Sequence, residues 1–312
     1  MKLSIKKFVA ILAATLLMIG CTNTTKQSTK LAVIASIYPL YDFADKIGGD
    51  LIDLTLLTPA GIEPHEWEPS AKDIINLEQS DLVLLNGAGL EHWADDILPT
   101  LQNKELLTVT TTEGIPLLEA SHDHHDEEEH EEEDDHDHEG VDPHVWLNVQ
   151  YAKQQLLAIK DAFVQKDPDH KTIYEANYER YAAEFDVLDQ QYRETLAKVT
   201  SKDLVVTHQA FSYLCEAYGL HQIAVEGLSA HSEPDPATMK TIVALMKEHQ
   251  IRAIFYDDLV SSKVADTIAK ETNATVKTLY TLESIRSEQL QANADYLSLM
   301  KQNLETLKTA LQ

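Results

Sequence analysis

From Leu31 onward, short apolar runs alternate with segments of helical period, and the whole alternation occurs twice. LAVIASI, LIDLTLL, DLVLLN and LLTVT read as buried strands in the first half, with YPLYDFADKIG and PSAKDIINLEQ as helices between them. After residue 200 the rhythm returns in DLVVTH, HQIAVE, RAIFYDD and ATVKTLY. Helices are expected near 210–218, 236–249, 261–272 and 287–311. Consecutive strands joined through helices pair in parallel and need cover on both faces. The predicted class is therefore α/β: two lobes, each a parallel-rich sheet flanked by helices.

Between the halves the pattern is helical, broken only near Asp167-Pro168. From Lys171 to Val199 it runs about 29 residues without Gly or Pro, about 43 Å at 1.5 Å per residue. Such a segment is a rigid strut rather than a hinge. The division expected is 31–149 for the first α/β lobe, 150–199 for the linking helices and 200–312 for the second lobe.

The start of the chain has another character. Lys2, Lys6 and Lys7 precede FVAILAATLLMIG, an apolar run of about 13 residues that ends at Cys21. That is the pattern of a secretory signal, and the run is short for a membrane span. MIGC resembles the bacterial lipobox, with Met18 where Leu is usual; the resemblance implies a signal over 1–20 and lipidation of Cys21. TNTTKQSTK then reads as a flexible tether over 21–30, reaching up to about 30 Å. The expected place is the extracytoplasmic face of a bacterial membrane, held by that lipid. Cys215, the second of two cysteines, reads as a small buried apolar residue on a helix. The exported part therefore stands on its core, without disulfides.

The net charge of −27 is uneven. Twelve carboxylates and no Lys or Arg lie between Ser121 and Glu139. An acidic chain repels phosphates, which excludes a nucleic-acid partner, and attracts cations. The same segment, 121–139, carries His122, His124, His125, His130, His136 and His138. Without apolar residues it cannot pack a core and is expected to be a solvated loop. Its imidazole and carboxylate pairs suit weak, multiple metal binding, and its function is read either as a collector of zinc for a tighter site or as a solubilising loop.

Outside that segment, three histidines keep unusual company. His65 lies in LTPAGIEPHEWEPSAKD and His144 in GVDPHVWLN, each after a Pro and two positions before a Trp. Pro stiffens the backbone that presents them. His208, in VVTHQAFSYL, follows a strand and precedes a helix, at the rim where open α/β sheets bind ligands. Three imidazoles from separate rims suit tetrahedral zinc, with one position left for a carboxylate or water. Read from residues alone, the alternative is three unrelated capping histidines. His92, His170, His221 and His249 read as solvated or helix-end residues. Trp67 and Trp146 either shield the site or simply pack; Glu66 and Asp142 either support the imidazoles or are solvated, the reading preferred here. SEPDP at 232–236 reads as a turn into a helix.

PHEWEPSAKD, DPHVWLN and VVTHQAFSYLCEAYGL together resemble the motifs of the cluster A-I solute-binding proteins, the metal-binding lipoproteins of bacterial ABC importers, in their zinc branch (AdcA/ZnuA type). The resemblance runs from Leu31 to the end of the chain. It implies two α/β lobes bridged by one long rigid helix, with metal in the cleft on His65, His144 and His208. A fourth position falls on YTLES, which makes Glu283, or water in its stead, the last ligand. Manganese-binding relatives carry a carboxylate at the position of His208, so the resemblance implies Zn2+ before Mn2+. The implied function is that of a monomeric receptor, not an enzyme, delivering zinc to an ABC permease and its ATPase; adhesion is left open as a second role. The alternatives are a manganese receptor, or a secreted zinc hydrolase with Glu66 or Glu283 as general base, against which stands the lack of an HExxH motif. An accessory C-terminal zinc domain, present in some relatives, is expected to be absent, the sequence ending after one helix beyond YTLES. Affinity is expected to fall as pH drops through the histidine range near 6.5, and the strut to restrict the lobes to small tilts.

Overall fold

A computed structural model describes residues 30–119, 140–228 and 236–312. Cys21 and the six histidines of the acidic segment lie outside the described residues, as does all of SEPDP but its last proline.

The first half runs β1 (Leu31–Ala35), α1 (Tyr38–Gly48), β2 (Ile52–Leu56), α2 (Ala71–Gln79), β3 (Leu82–Leu85), the short α3 (Ala94–Ile97) and β4 (Leu107–Thr110). Its strands form a parallel sheet in the order β2-β1-β3-β4. Two helices follow, α4 (Val149–Lys166) and α5 (Lys171–Leu196). The second half runs β5 (Asp203–Val206), α6 (Ser212–Tyr218), β6 (His221–Ala224), α7 (Pro236–Glu248), β7 (Ala253–Tyr256), α8 (Lys263–Thr272) and β8 (Thr275–Thr278). Its sheet, β6-β5-β7-β8, is again parallel. The fold class is the one the alternation predicts. β3 is buried at all four positions, as a strand covered on both faces must be.

The chain after β8 departs from the expected single helix. It forms α9 (Ser287–Gln291) and α10 (Tyr296–Ala310). Asn293 takes a left-handed φ of 54°, which a helix cannot contain. Asp295 then caps a new start, accepting from Ser298 N–H at 2.8 Å.

α5 is 26 residues long, about 39 Å, and it is gripped by both halves. Near one end Asn177 Nδ2 donates to the carbonyl of Ile47 on α1, 2.9 Å. Further along, Phe185 lies edge-on to Phe43 of α1 and stacks on Tyr296 of α10, with centroids 5.5 and 5.1 Å apart. Beyond that, the Tyr192 hydroxyl donates to Met300 O at 2.6 Å, and Tyr218 of α6 donates to Asp189 at 3.0 Å. Lys46 of α1 adds an ion pair with Asp295, 3.0 Å. One continuous core therefore runs through both halves. Among the described residues no helix is long and apolar enough to cross a membrane.

Candidate metal centre

The C-terminal ends of both sheets face one cleft, and four side chains meet there. His65, His144, His208 and Glu283 each offer a donor atom within 4.8 Å of the others, a group that can hold a metal ion.

His65 comes from the loop between β2 and α2. The loop turns at Gly61, whose φ of +82° favours glycine, and Ser70 ends it by capping α2 in a reciprocal box with Asp73. His65 N–H donates to Glu63 Oε1 at 3.1 Å. His144 stands four residues before Asn148, which caps α4. Asp142 Oδ1 accepts from both the backbone N–H and Nδ1 of His144, at 2.9 and 2.8 Å. A carboxylate can only accept here, so Nδ1 carries hydrogen and Nε2 faces the cleft. The preferred sequence reading of Asp142 as solvated is thus corrected: it is fully buried because it orients an imidazole. Glu66 is exposed, as that reading has it.

His208 follows β5, and its Nε2 lies 2.6 Å from the carbonyl of Leu228. A carbonyl also only accepts, so the neutral ring presents a bare Nδ1. That atom is buried and without a hydrogen bond, 3.8 Å from Glu283 Oε1 and 3.9 Å from Asp257 Oδ2. Glu283 is held by the chain that leaves β8. Asn303 of α10 clamps Tyr280 through its N–H and carbonyl at 2.9 and 2.8 Å, and Thr281 donates to Asp257 at 2.8 Å. Leu282 then adopts a left-handed φ of 62°, strain that a branched side chain tolerates only where its surroundings impose it.

The donor spacing suits an ion. His65 Nε2 and His144 Nε2 are 3.2 Å apart, and His144 Nε2 is 2.8 Å from Glu283 Oε1. Ligands at 2.0–2.1 Å from tetrahedral zinc stand about 3.3–3.4 Å from one another. Glu283 is fully buried; its Oε2 has no hydrogen-bond partner and its Oε1 faces only the imidazoles of His144 and His208. That is a costly state for a carboxylate unless a proton on those rings or a cation completes it. Three nitrogens and one oxygen form a set that zinc accepts well.

Charge and burial compete across the group. Burial pushes Glu283 up, but the imidazoles of His208, His144 and His65 outweigh it and hold the carboxyl down to about 2. Burial pulls His65 down to about 3. It also pulls on His144, where Asp142 and Glu283 prevail and raise the ring to about 10. His208 is raised on balance, burial being outweighed by Glu283 and Asp257. Without metal, a proton on His144 supplies part of the positive charge that the carboxylates require.

The other sequence candidates fall elsewhere. Trp146 is fully buried and bridges the halves, its Nε1–H donating to Thr281 O at 2.7 Å. Trp67 is half-buried against Trp93. His92, His221 and His249 are exposed, beside Glu68 and Asp203, and His170 pairs with Asp167. Cys215 is buried on α6, and burial pushes its thiol well up. Asp257 and Tyr213 escaped the sequence reading. Asp257 had a signal, the acidic pair that ends RAIFYDD at a strand rim. Tyr213 had none. Its hydroxyl donates to Asp142 O at 2.8 Å and accepts from Leu118 N–H at 2.9 Å, just inside the Glu119–Val141 bridge that closes the root of the acidic segment.

Comparison with known proteins supplies the family. The family model described as zinc-uptake complex component A, periplasmic (ZnuA), matches residues 33–310. The high-affinity zinc uptake system protein ZnuA of Bacillus subtilis is 39% identical over 307 residues, 96% of each chain. The zinc-binding lipoprotein AdcA of Streptococcus pneumoniae is 34% identical over 311 residues, which are 97% of this chain; the chain spans 60% of AdcA. The structure of the Zn(II)-bound ZnuA-like domain of that AdcA superposes with a TM-score of 0.77 at 32% identity, over 91% of this chain and 99% of that one. Two parallel four-stranded sheets, the matched family model and these relatives make this chain a member of the ZnuA family of zinc-uptake binding proteins.

Proposed function

We propose that the chain is an extracytoplasmic zinc receptor that binds one Zn2+ through His65, His144, His208 and Glu283 and hands it to an ABC permease driven by its ATPase. One observation carries this: buried nitrogen and oxygen donors, several without hydrogen bonds, converge at ion-sized spacing from both halves. Four converging side chains also argue for capture over hydrolysis, because catalytic zinc keeps a position open for water. Three nitrogens favour zinc over the harder manganese. The receptor acts as a monomer tethered by lipid on Cys21. The histidines of 121–139 collect zinc weakly and feed the cleft.

Titration of Zn2+ into the metal-free chain starting after Cys21, with and without residues 121–139, tests the reading. One tight site that survives the deletion and disappears in His144→Ala is expected. Loss of all tight binding on deletion would move the working site to the acidic segment.

A further inference from the structure

His65 is the most accessible of the four donors. Its side chain keeps 13% of its exposure, against 0–1% for the others. It also sits within a 14-residue irregular stretch at the cleft, between Leu56 and Ala71. Several hydrogen bonds of this loop are local: Ile62 N–H to Pro59 O, His65 N–H to Glu63 Oε1, and Trp67 N–H to Pro64 O. They shape the loop without tying it to the second half. A tie across the cleft does exist. Gly61 N–H donates to Ser284 Oγ at 2.9 Å, from a residue 223 positions away. Ser284 is buried and directly follows Glu283, whose own carbonyl accepts from Tyr38 N–H at 3.3 Å.

We propose that Ser284 is a latch: its hydroxyl fastens the His65 loop to the Glu283 segment, and this bond sets how fast zinc leaves. The proposal rests on the zinc-receptor reading above. His144 and His208 are each oriented within their own half, by Asp142 and Leu228 O. Zinc bridges His65 and Glu283 across the cleft, and the Gly61–Ser284 bond spans the same cleft four residues from His65. To release the ion the His65 loop must swing away, and that bond must break first. Ser284 is thus a positioning residue acting through the loop, touching no metal. A partner that prised Gly61 from Ser284 would trigger release without distorting either sheet.

The test compares zinc transfer from loaded protein to excess chelator, by stopped flow, in wild type, Ser284→Ala and Ser80→Ala. Ser80 donates to Leu77 O at 2.9 Å, buried and within the first half, so its loss lowers stability without touching the latch. Removal of one net hydrogen bond predicts dissociation about three- to ten-fold faster in Ser284→Ala, with Ser80→Ala releasing zinc like wild type. Equal dissociation from Ser284→Ala and wild type would overturn the latch, and so would equal acceleration in both variants. Failure of the receptor reading looks different: wild type itself would load no zinc.

Discussion

At the scale of single residues, the proposed site sets a proton and a metal ion in competition for one position. His144 lies between Asp142 and Glu283 and keeps its proton up to about pH 10 in the metal-free protein, so zinc must displace it. Calorimetry in buffers of different ionisation enthalpy should show release of at least about one proton per zinc near neutrality, from His144 and from the protonated share of His208, whose ring is also raised. The sequence expectation is a fall through the ordinary histidine range near 6.5; the raised ring of His144 moves that fall to higher pH. Affinity should climb with pH through neutrality, because the competing proton is held harder than on a free imidazole. The sign for stability is opposite. A group whose folded pKa is raised stabilises below its unfolded value and loses that contribution as pH rises through the folded one. Above about pH 6.5 His65 is neutral and Glu283 ionised in folded and unfolded chains alike, so the site's share of the slope belongs to His144 and His208. Glu226, which burial raises to about 7, adds to it in the same sense near neutrality. The metal-free protein should lose thermal stability from about pH 6.5 toward 10, and the gap between metal-free and zinc-loaded melting should widen. A gap that narrows over that range would show that the metal-free site does not hold this proton. Asp142→Ala removes the acceptor that orients His144 and should cost about 10–100-fold in zinc affinity.

At the scale of elements, His144 and His208 are positioned by the start of a helix and the end of a strand, His65 and Glu283 by the segments that leave β2 and β8, and α6 ties the halves together. Tyr213 on α6 belongs to the second half yet holds Asp142 and Leu118 of the first. Tyr213→Phe leaves the buried carbonyl of Asp142 without this donor and the half-buried N–H of Leu118 without this acceptor, and should cost about 1–3 kcal/mol in denaturant unfolding. It should also weaken zinc binding, since the backbone under Asp142 loosens; an affinity equal to wild type would confine Tyr213 to stability. These elements also show what a sequence exposes. The strands were legible because four or five apolar residues between helical segments have few other uses. His65 and His144 stood out through the Pro before and the Trp after, and His208 through its strand rim. The break between α9 and α10 was not, because it depends on one asparagine turning left-handed and one aspartate capping, both common in unbroken helices. The burial of Asp142 and the roles of Asp257 and Tyr213 depend on partners in other segments, which local pattern does not contain.

For the whole molecule, α5 is the reason the halves act as one body. A core continuous through Phe43, Phe185 and Tyr296 leaves no plane along which the halves can swing apart. Metal-free and zinc-loaded protein should give superimposable small-angle scattering profiles, with change confined to the loop of His65; a clear contraction on zinc binding would mean that α5 bends. Phe185→Ala should destabilise the chain by about 3–5 kcal/mol, read by chemical denaturation as one transition because the core is shared. What the whole fold achieves is to bring three imidazoles and one carboxylate from four separate segments to ion-sized spacing. X-ray absorption at the zinc edge, on loaded protein lacking residues 121–139, tests that most directly. Three imidazole nitrogens and one carboxylate oxygen at about 2.0–2.1 Å are predicted, with one nitrogen lost in His208→Ala. A six-coordinate oxygen shell, or a spectrum unchanged by His208→Ala, would contradict it.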